Sequence, residues 1–181
     1  MRIVAGTWRG RKLAAPDGLG TRPTAARSRE ALFSMLASRL GNFEGLNVLD
    51  LFAGSGALGL EALSRGASHA TFVERDRHAL AALRANVSAL SAADRTSIIS
   101  RDATYAIPLP APAQLVLLDP PYGEDMEAQA LRSLAGSADI AEGALIAVET
   151  ASEAEALATD MEILAERTYG KARITLIRKP G

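Results

Sequence analysis

The stretch Val48-Leu49-Asp50-Leu51-Phe52-Ala53-Gly54-Ser55-Gly56-Ala57-Leu58-Gly59 decides the fold of this chain. It begins as an apolar strand, turns at closely spaced glycines and continues with helix-forming residues. Gly54, Gly56 and Gly59 match the pattern G-x-G-x-x-G, in which glycine permits a tight turn and a close approach of backbone to ligand. Because dinucleotide-binding folds share this pattern, it indicates an α/β nucleotide-type site without identifying the ligand.

Strands and helices alternate on the carboxyl-terminal side of this unit. The run Leu115-Val116-Leu117-Leu118 is apolar throughout, which indicates burial on both faces of a parallel sheet. We therefore predict a doubly wound, Rossmann-like α/β fold with a mostly parallel seven-stranded sheet and helices on both faces. The predicted strands are Asn47–Asp50, Ala70–Glu74, Thr96–Arg101, Gln114–Asp119, Ala144–Glu149, Glu162–Arg167 and Arg173–Arg178. The predicted helices are Thr24 to Leu40, Ala57–Arg65, Arg77–Leu90, Met126–Leu134 and Ser152–Ala158.

Acidic residues stand at the ends of three successive predicted strands. Asp50 would repel a pyrophosphate but suits the cationic amino group of a methionine moiety. Glu74 can accept both ribose hydroxyls of an adenosine, and Asp102, with Ala103 beside it, is placed to meet an adenine amino group. Each acid taken singly could equally cap a helix or lie solvated at the surface. Three acids behind one glycine loop favour S-adenosylmethionine as the cofactor.

The tetrapeptide Asp119-Pro120-Pro121-Tyr122 follows the apolar strand. Two prolines fix φ at about −65° and remove two backbone donors, so the turn presents acceptors. The N–H groups of an exocyclic base amine could donate to the Asp119 carboxylate and the Pro120 carbonyl, while Tyr122 could stack on the base. An isolated Pro-Pro pair would indicate only a turn. After a complete glycine loop, these four residues are predicted to be catalytic in methyl transfer to a base amine.

Basic residues are concentrated at both ends of the chain, although its net charge is −1. Residues 1–29 contain seven basic and one acidic side chain, and residues 167–181 contain five basic residues and no acid. Such ends either solubilise the chain or contact a polyanion. The chain has no cysteine and two histidines, which argues against a metal site. Without a signal-peptide core or a membrane-length apolar run, we expect a cytoplasmic protein, and we expect it to be monomeric.

The sequence resembles the RsmD-type family of 16S ribosomal RNA (guanine-N2)-methyltransferases. The matching segments are Arg2 to Leu13, Thr21 to Phe33, Asp50 to Gly59, Asp119 to Tyr122, and Tyr169-Gly170. The resemblance implies a Rossmann-like methyltransferase fold that uses S-adenosylmethionine to methylate the N2 amine of one guanine. It also implies 16S rRNA or the small ribosomal subunit particle as the partner.

Taken together, the motifs and the resemblance predict a set of site residues. The residues expected to contact the cofactor are Thr24, Arg27, Asp50, Phe52, Ala53, Gly54, Ser55, Gly56, Gly59, Glu74, Arg75, Asp102 and Ala103. Those expected to contact RNA are Arg9, Arg11, Lys12, Arg22, Arg29 and Tyr169. Residues 1–23 are expected to form a basic hairpin and loop extension before a methyltransferase domain at 24–181. Trp8 is expected to pack the hairpin onto that domain rather than to stack on a base.

Other functions remain compatible with parts of this pattern. A DNA adenine-N6 or cytosine-N4 methyltransferase would use the same tetrapeptide, although 181 residues leave little room for a separate target-recognition region. A dinucleotide-dependent oxidoreductase would use the same glycine loop. A binding module could keep the fold without the activity.

Overall fold

The computed structural model describes residues 1–16, 23–121 and 125–181, with the side chains of 23–25 left out. In chain order the elements are helix α1 (Pro23–Leu40), strand β1 (Asn47–Leu51), α2 (Ala57–Ser64), β2 (His69–Glu74), α3 (Arg77–Ala89), a 3-10 turn (Ala93–Arg95), β3 (Thr96–Ser100), β4 (Ala113–Leu118), α4 (Met126–Ala135), β5 (Ile140–Ala151), β6 (Glu162–Tyr169) and β7 (Ala172–Arg178).

The strands form one seven-stranded sheet in the order β3-β2-β1-β4-β5-β7-β6. Strands β1 to β5 are parallel, and β7 runs antiparallel between β5 and β6. The strand order reverses between β1 and β4, because the chain first builds outward through β2 and β3 and then returns to the other side of β1. In a doubly wound sheet, ligands bind at the carboxyl ends of the strands beside such a switch point. The predicted mostly parallel seven-stranded sheet is confirmed.

Apolar clusters cover the two faces of the sheet. Val48 belongs to one cluster and Leu49 to the other, because successive residues of a strand point to opposite faces. The first cluster includes Phe33 of α1 and Leu60 of α2, and α3 also contributes to it. The second includes Leu131 of α4. Helices therefore lie on both faces, as predicted.

The amino-terminal hairpin is smaller than expected. Within described residues 1–16, the hairpin expected in residues 1–23 contains one isolated antiparallel bridge, between Arg2 and Lys12. The backbone amides of Val4 and Ala5 donate instead to the carboxylate of Glu61 in α2, at 2.8 and 3.0 Å. The segment therefore pairs its backbone partly between its own two arms, as in the bond from the Ile3 amide to the Arg11 carbonyl at 3.0 Å, and partly on the helix beneath it.

The helix predicted at Ser152–Ala158 is wrong. Strand β5 continues to Ala151, and the following segment is a turn and an irregular stretch. The guanidinium of Arg173 donates to the carbonyls of Ala154 and Glu155, at 2.8 and 2.6 Å. A helix would need those carbonyls for its own amides four residues later, so the contact with β7 outweighs the local helix propensity.

Candidate active site

A cavity of about 560 Å³ opens at the carboxyl ends of β1, β2 and β4, a size in the range of small-molecule sites. It is lined by Phe52, Val73, Glu74, Arg75, Asp76, Arg101, Ala103, Asp119, Pro120, Pro121 and Met126. Residues predicted for the cofactor and residues predicted for catalysis therefore meet at one cavity.

The three glycines of the loop serve different purposes. A Cβ added to Gly56 would lie 2.3 Å from Leu83 Cδ1, and one added to Gly59 would lie 2.4 Å from Phe72 Cε1. These two glycines let the loop pack against α3 and β2. Gly54 has a φ of +57°, and a Cβ added there would meet no atom within 4 Å. Packing therefore does not require a glycine at this position, and its contact with the cofactor remains a prediction.

Asp50 lies beneath the glycine loop and is 1% exposed. Its Oδ2 accepts a hydrogen bond from the Gly59 amide at 2.8 Å. Burial raises the pKa of Asp50 well above its ordinary value; the Gly59 bond opposes the shift, and the charges of Asp119 and Glu74 add to it. Asp50 thus holds the start of α2 from below, and the cavity wall is formed by other residues.

Glu74 joins the glycine loop to the start of α3. Its Oε2 accepts from the Gly54 amide at 2.8 Å, and its Oε1 accepts from the amides of Arg75 and Asp76 at 2.7 and 2.8 Å. The side chain also lines the cavity. A carboxylate held by three backbone donors is fixed in position, which suits it to recognise a ligand hydroxyl with its remaining lone pairs.

Asp102 accepts hydrogen bonds from the Thr104 amide and hydroxyl, at 2.9 and 2.7 Å, and from Arg75 Nη1 at 2.9 Å. The pKa of Asp102 is lowered, chiefly by the bond from the Thr104 amide. Arg101 and Ala103, on either side of it, line the cavity. Asp102 thus shapes the loop that presents Ala103, and its contact with an adenine remains a prediction.

Asp119, Pro120 and Pro121 form the opposite wall of the cavity. Solvent reaches Asp119 through the cavity, yet the protein packed around it raises the pKa of its carboxyl to about 7, and the negative charge of Glu149 adds to the shift. Tyr122 lies outside the described residues.

Three further residues predicted for the cofactor, Ala53, Ser55 and Arg27, are not among those that line the cavity. Ala53 and Ser55 are buried within the loop, and Arg27 is exposed on α1. The side chain of Thr24 is outside the described part of the chain. The roles of these residues stay predictions.

Three of the six residues predicted to contact RNA are exposed, and one is buried. Arg9, Arg11 and Lys12 are exposed. Arg29 is 7% exposed and donates through Nη2 to the carbonyl of Arg2 at 2.6 Å. It fastens the amino-terminal segment to α1, so the expectation that it contacts RNA is wrong for this conformation.

The two other residues predicted to contact RNA are Tyr169 and Arg22. Tyr169 is half-buried and packs against the first apolar cluster. Arg22 lies outside the described residues. Trp8 also packs against that cluster, and the Arg95 guanidinium lies 5.6 Å from its ring centroid, which confirms that it pins the segment to the domain.

Sequence reasoning missed several residues that the structure brings to the site. Asp76 and Arg101 line the cavity, and their positions beside the ends of β2 and β3 could have suggested it. Met126 also lines the cavity, but no motif marks it. Glu149 ends another predicted strand, so the rule that selected Glu74 could have selected it as well.

The sheet order, the glycine loop and the Asp-Pro-Pro turn around one cavity define a methyltransferase of the Rossmann-like class. The family model described as "Conserved hypothetical protein 95" matches residues 1–178. The chain is 40% identical over 153 residues to ribosomal RNA small subunit methyltransferase D of Escherichia coli strain K12, which covers 84% of this chain and 76% of that protein. It is 35% identical over 175 residues to the protein of that name in Haemophilus influenzae, covering 94% and 89%.

The fold comparison agrees with these relatives. A solved structure described as "Putative methyltransferase yhhF" from Escherichia coli has a TM-score of 0.83 and 34% identity, and covers 100% of this chain and 98% of that one. The chain belongs to the RsmD family of methyltransferases.

No described helix is long and apolar enough to cross a membrane. No group of three or more His, Cys, Asp or Glu in the described ranges is arranged to hold a metal ion.

Proposed function

We propose that this protein transfers a methyl group from S-adenosylmethionine to the exocyclic N2 amine of one guanine in 16S rRNA, on an assembled or partly assembled small-subunit particle. The observation that carries the proposal is that Asp119 and Pro120 line the same cavity as Glu74 and Ala103. The names of the relatives, ribosomal RNA small subunit methyltransferase D, support the substrate. We place the activity in the cytoplasm and assign it to a monomer.

The cavity fits S-adenosylmethionine. The open space at Gly54 admits a ligand close to the loop backbone, and Glu74 offers oxygen acceptors to ribose hydroxyls from the wall. Phe52, Val73 and Ala103 give apolar surface for a purine ring. When bound, this cofactor supplies an electrophilic methyl group on a positively charged sulfur.

The Asp-Pro-Pro turn positions the amine. One amine N–H donates to the Asp119 carboxylate and the other to the Pro120 carbonyl, which draws the nitrogen lone pair out of conjugation and aims it across the cavity. The ionised Asp119 carboxylate is the stronger acceptor, and with a pKa of about 7 it is partly protonated at neutral pH. A cation in the cavity favours the ionised form. The methylated product amine is acidic and loses its proton readily, so a strong base is unnecessary.

The amino-terminal segment is proposed as an RNA-facing extension of the catalytic domain. Its described part, residues 1–16, is fixed to α2 through the fully buried Glu61 and exposes Arg9, Arg11 and Lys12. These side chains suit phosphate contacts, which position a protein on RNA without reading its sequence. The choice of guanine then comes from the pocket and from RNA shape.

The test is a methyl-transfer assay with labelled S-adenosylmethionine on small-subunit particles and on naked 16S rRNA, followed by nucleoside analysis. We expect N2-methylguanosine, with particles preferred over naked RNA. Label confined to adenine or cytosine would contradict the substrate. Absence of transfer to either, together with a thermal shift from a nicotinamide dinucleotide and none from S-adenosylhomocysteine, would favour the oxidoreductase.

A further inference from the structure

A second carboxylate stands beside Asp119 across the sheet. Strands β4 and β5 are parallel, with Leu118 paired to Val148. Asp119 and Glu149 each follow directly, so they are neighbours at the same level of the sheet. The pair follows β4 and β5 rather than the glycine loop. The proposed methyl transfer assigns no role to Glu149.

Glu149 also borders a recess behind the catalytic turn. This recess, of about 30 Å³, is lined by Pro120, Pro121, Glu127, Glu149, Thr150, Ala151 and Ala154. Thr150 is 3% exposed, and its hydroxyl makes no hydrogen bond within the described part of the chain. A buried hydroxyl without a partner costs stability.

The proximity of the two carboxyls has an energetic cost of its own. Burial and the negative charge of Glu149 raise the pKa of Asp119, so Glu149 partly opposes the ionised form, which is the stronger acceptor for the amine. A ligand that donates hydrogen bonds to both carboxylates would offset this repulsion.

Guanine is the base that fits this requirement. Beside its exocyclic amine lies a ring N1–H, which is a donor. The ring nitrogen beside the amine of adenine or cytosine is an acceptor and would face a carboxylate lone pair. We propose that Glu149 is the specificity residue of the target pocket, accepting the N1–H of guanine while Asp119 and Pro120 accept its N2 amine. This inference rests on the proposed function.

The test compares guanine with 2,6-diaminopurine at the methylated position of reconstituted particles. The analogue keeps the 2-amino group but has an acceptor at N1. We expect wild-type protein to prefer guanine by about 100-fold in kcat/KM. We expect Glu149→Gln to lower kcat/KM for guanine about 10- to 100-fold and to shrink the preference below about 10-fold, because the amide can rotate to donate to N1.

Both measurements are made at pH 8.5, where Asp119 is ionised in either protein, so that the effect of Glu149 on the Asp119 pKa is removed. Glu153→Gln is the matched control: it removes the same charge from an exposed position four residues along the chain and should keep the wild-type preference. Binding of S-adenosylhomocysteine, measured by calorimetry, should be equal in all three proteins and shows that Glu149→Gln is folded.

Several outcomes would overturn the inference. If wild-type protein methylates the diaminopurine as readily as guanine, that result alone refutes the inference. A Glu149→Gln protein that loses both substrates equally has lost structure or charge rather than specificity. If wild-type protein yields no N2-methylguanosine at all, the proposed function fails first and this inference fails with it.

Discussion

The site has two walls, and Asp102 in one differs electrostatically from Asp119 in the other; Asp50, buried beneath the glycine loop, shares the raised pKa of Asp119. We call the ends of β1, β2 and β3 the cofactor wall and the ends of β4 and β5 the target wall. Each strand carries an acid at or just after its end. In the cofactor wall Asp102 accepts from Thr104, and its pKa is lowered. In the target wall burial and Glu149 raise the pKa of Asp119 to about 7.

The difference separates acids that build the site from acids that act in it. A carboxylate that accepts hydrogen bonds from backbone amides fixes the loop that carries them. Glu74 does so for the glycine loop. A carboxylate whose charge is opposed by burial and by a second acid gains most when donors arrive with the substrate. The two walls therefore predict different kinetic consequences when an acid is removed.

The largest effect is expected from Asp119→Ala. The change removes an acceptor that acts on the reacting amine, so kcat should fall about 100- to 1000-fold. The dissociation constant for S-adenosylhomocysteine should stay within about twofold, because the cofactor wall is intact. Single-turnover methylation and calorimetry measure the two quantities. A variant with normal kcat and weakened cofactor binding would assign Asp119 to the other wall.

Glu74→Ala should give the reverse pattern. Loss of the carboxylate that holds the Gly54, Arg75 and Asp76 amides should weaken cofactor binding about 10- to 100-fold, since a hydrogen bond to a charged group contributes about 1.5–3 kcal/mol. With saturating cofactor, kcat should fall much less. Glu153→Ala, at an exposed position, is the control for a lost charge. A loss confined to kcat would contradict the division of roles.

Gly56→Ala and Gly54→Ala should separate packing from ligand space within the cofactor wall. At Gly56 the new methyl group meets Leu83 and the φ of +82° is strained, so unfolding free energy should fall by about 2 kcal/mol. Gly54→Ala carries only the strain of its φ, about 1 kcal/mol, but should weaken cofactor binding more. Thermal unfolding and calorimetry compare them. Equal binding losses would mean that both glycines serve packing.

Much of this architecture could be predicted from the sequence. The apolar run at β4 and the glycine loop each occupy contiguous residues, so local pattern is enough to place them. The acids at strand ends were found because strand boundaries place them there. Their partners were not found: that Asp50 bonds to Gly59 from below depends on how the loop folds over β1, which residue spacing does not specify.

The failures have the same cause. Ser152–Ala158 contains good helix formers, but Arg173, from a strand some twenty residues later, takes its carbonyls. Arg29 looked like one more RNA-binding arginine, yet it is buried against the amino-terminal segment. Local sequence reports propensity and charge, whereas these outcomes were decided by contacts between distant segments.

A smaller effect is expected from pH. Because kcat/KM reports the free enzyme, it should rise about tenfold from pH 6 to a plateau above pH 8, as Asp119 ionises with its pKa of about 7. Stability should change in the opposite direction. The Asp119 carboxyl holds its proton more tightly in the folded protein than in the unfolded chain. Its contribution to the free energy of unfolding is therefore complete below about pH 4 and is lost as pH rises to about 7. Asp119→Ala should abolish both dependences, and a flat wild-type rate profile between pH 6 and 8 would contradict the shifted pKa.

The smallest effect is expected from Thr150→Val, which tests whether the target wall sacrifices stability for recognition. The side chains are nearly equal in shape, and the threonine hydroxyl is buried without a hydrogen bond among the described residues. Its removal should raise the unfolding free energy by about 1 kcal/mol, which corresponds to about 2–4 °C in Tm. Ser64→Ala is the opposite control, since the Ser64 hydroxyl is buried but bonded to Ala5 and Trp8; its removal should lower the Tm. If Thr150→Val lowers the Tm as well, the Thr150 hydroxyl makes a hydrogen bond in solution. The target wall then has no unpaired hydroxyl available to bind a base.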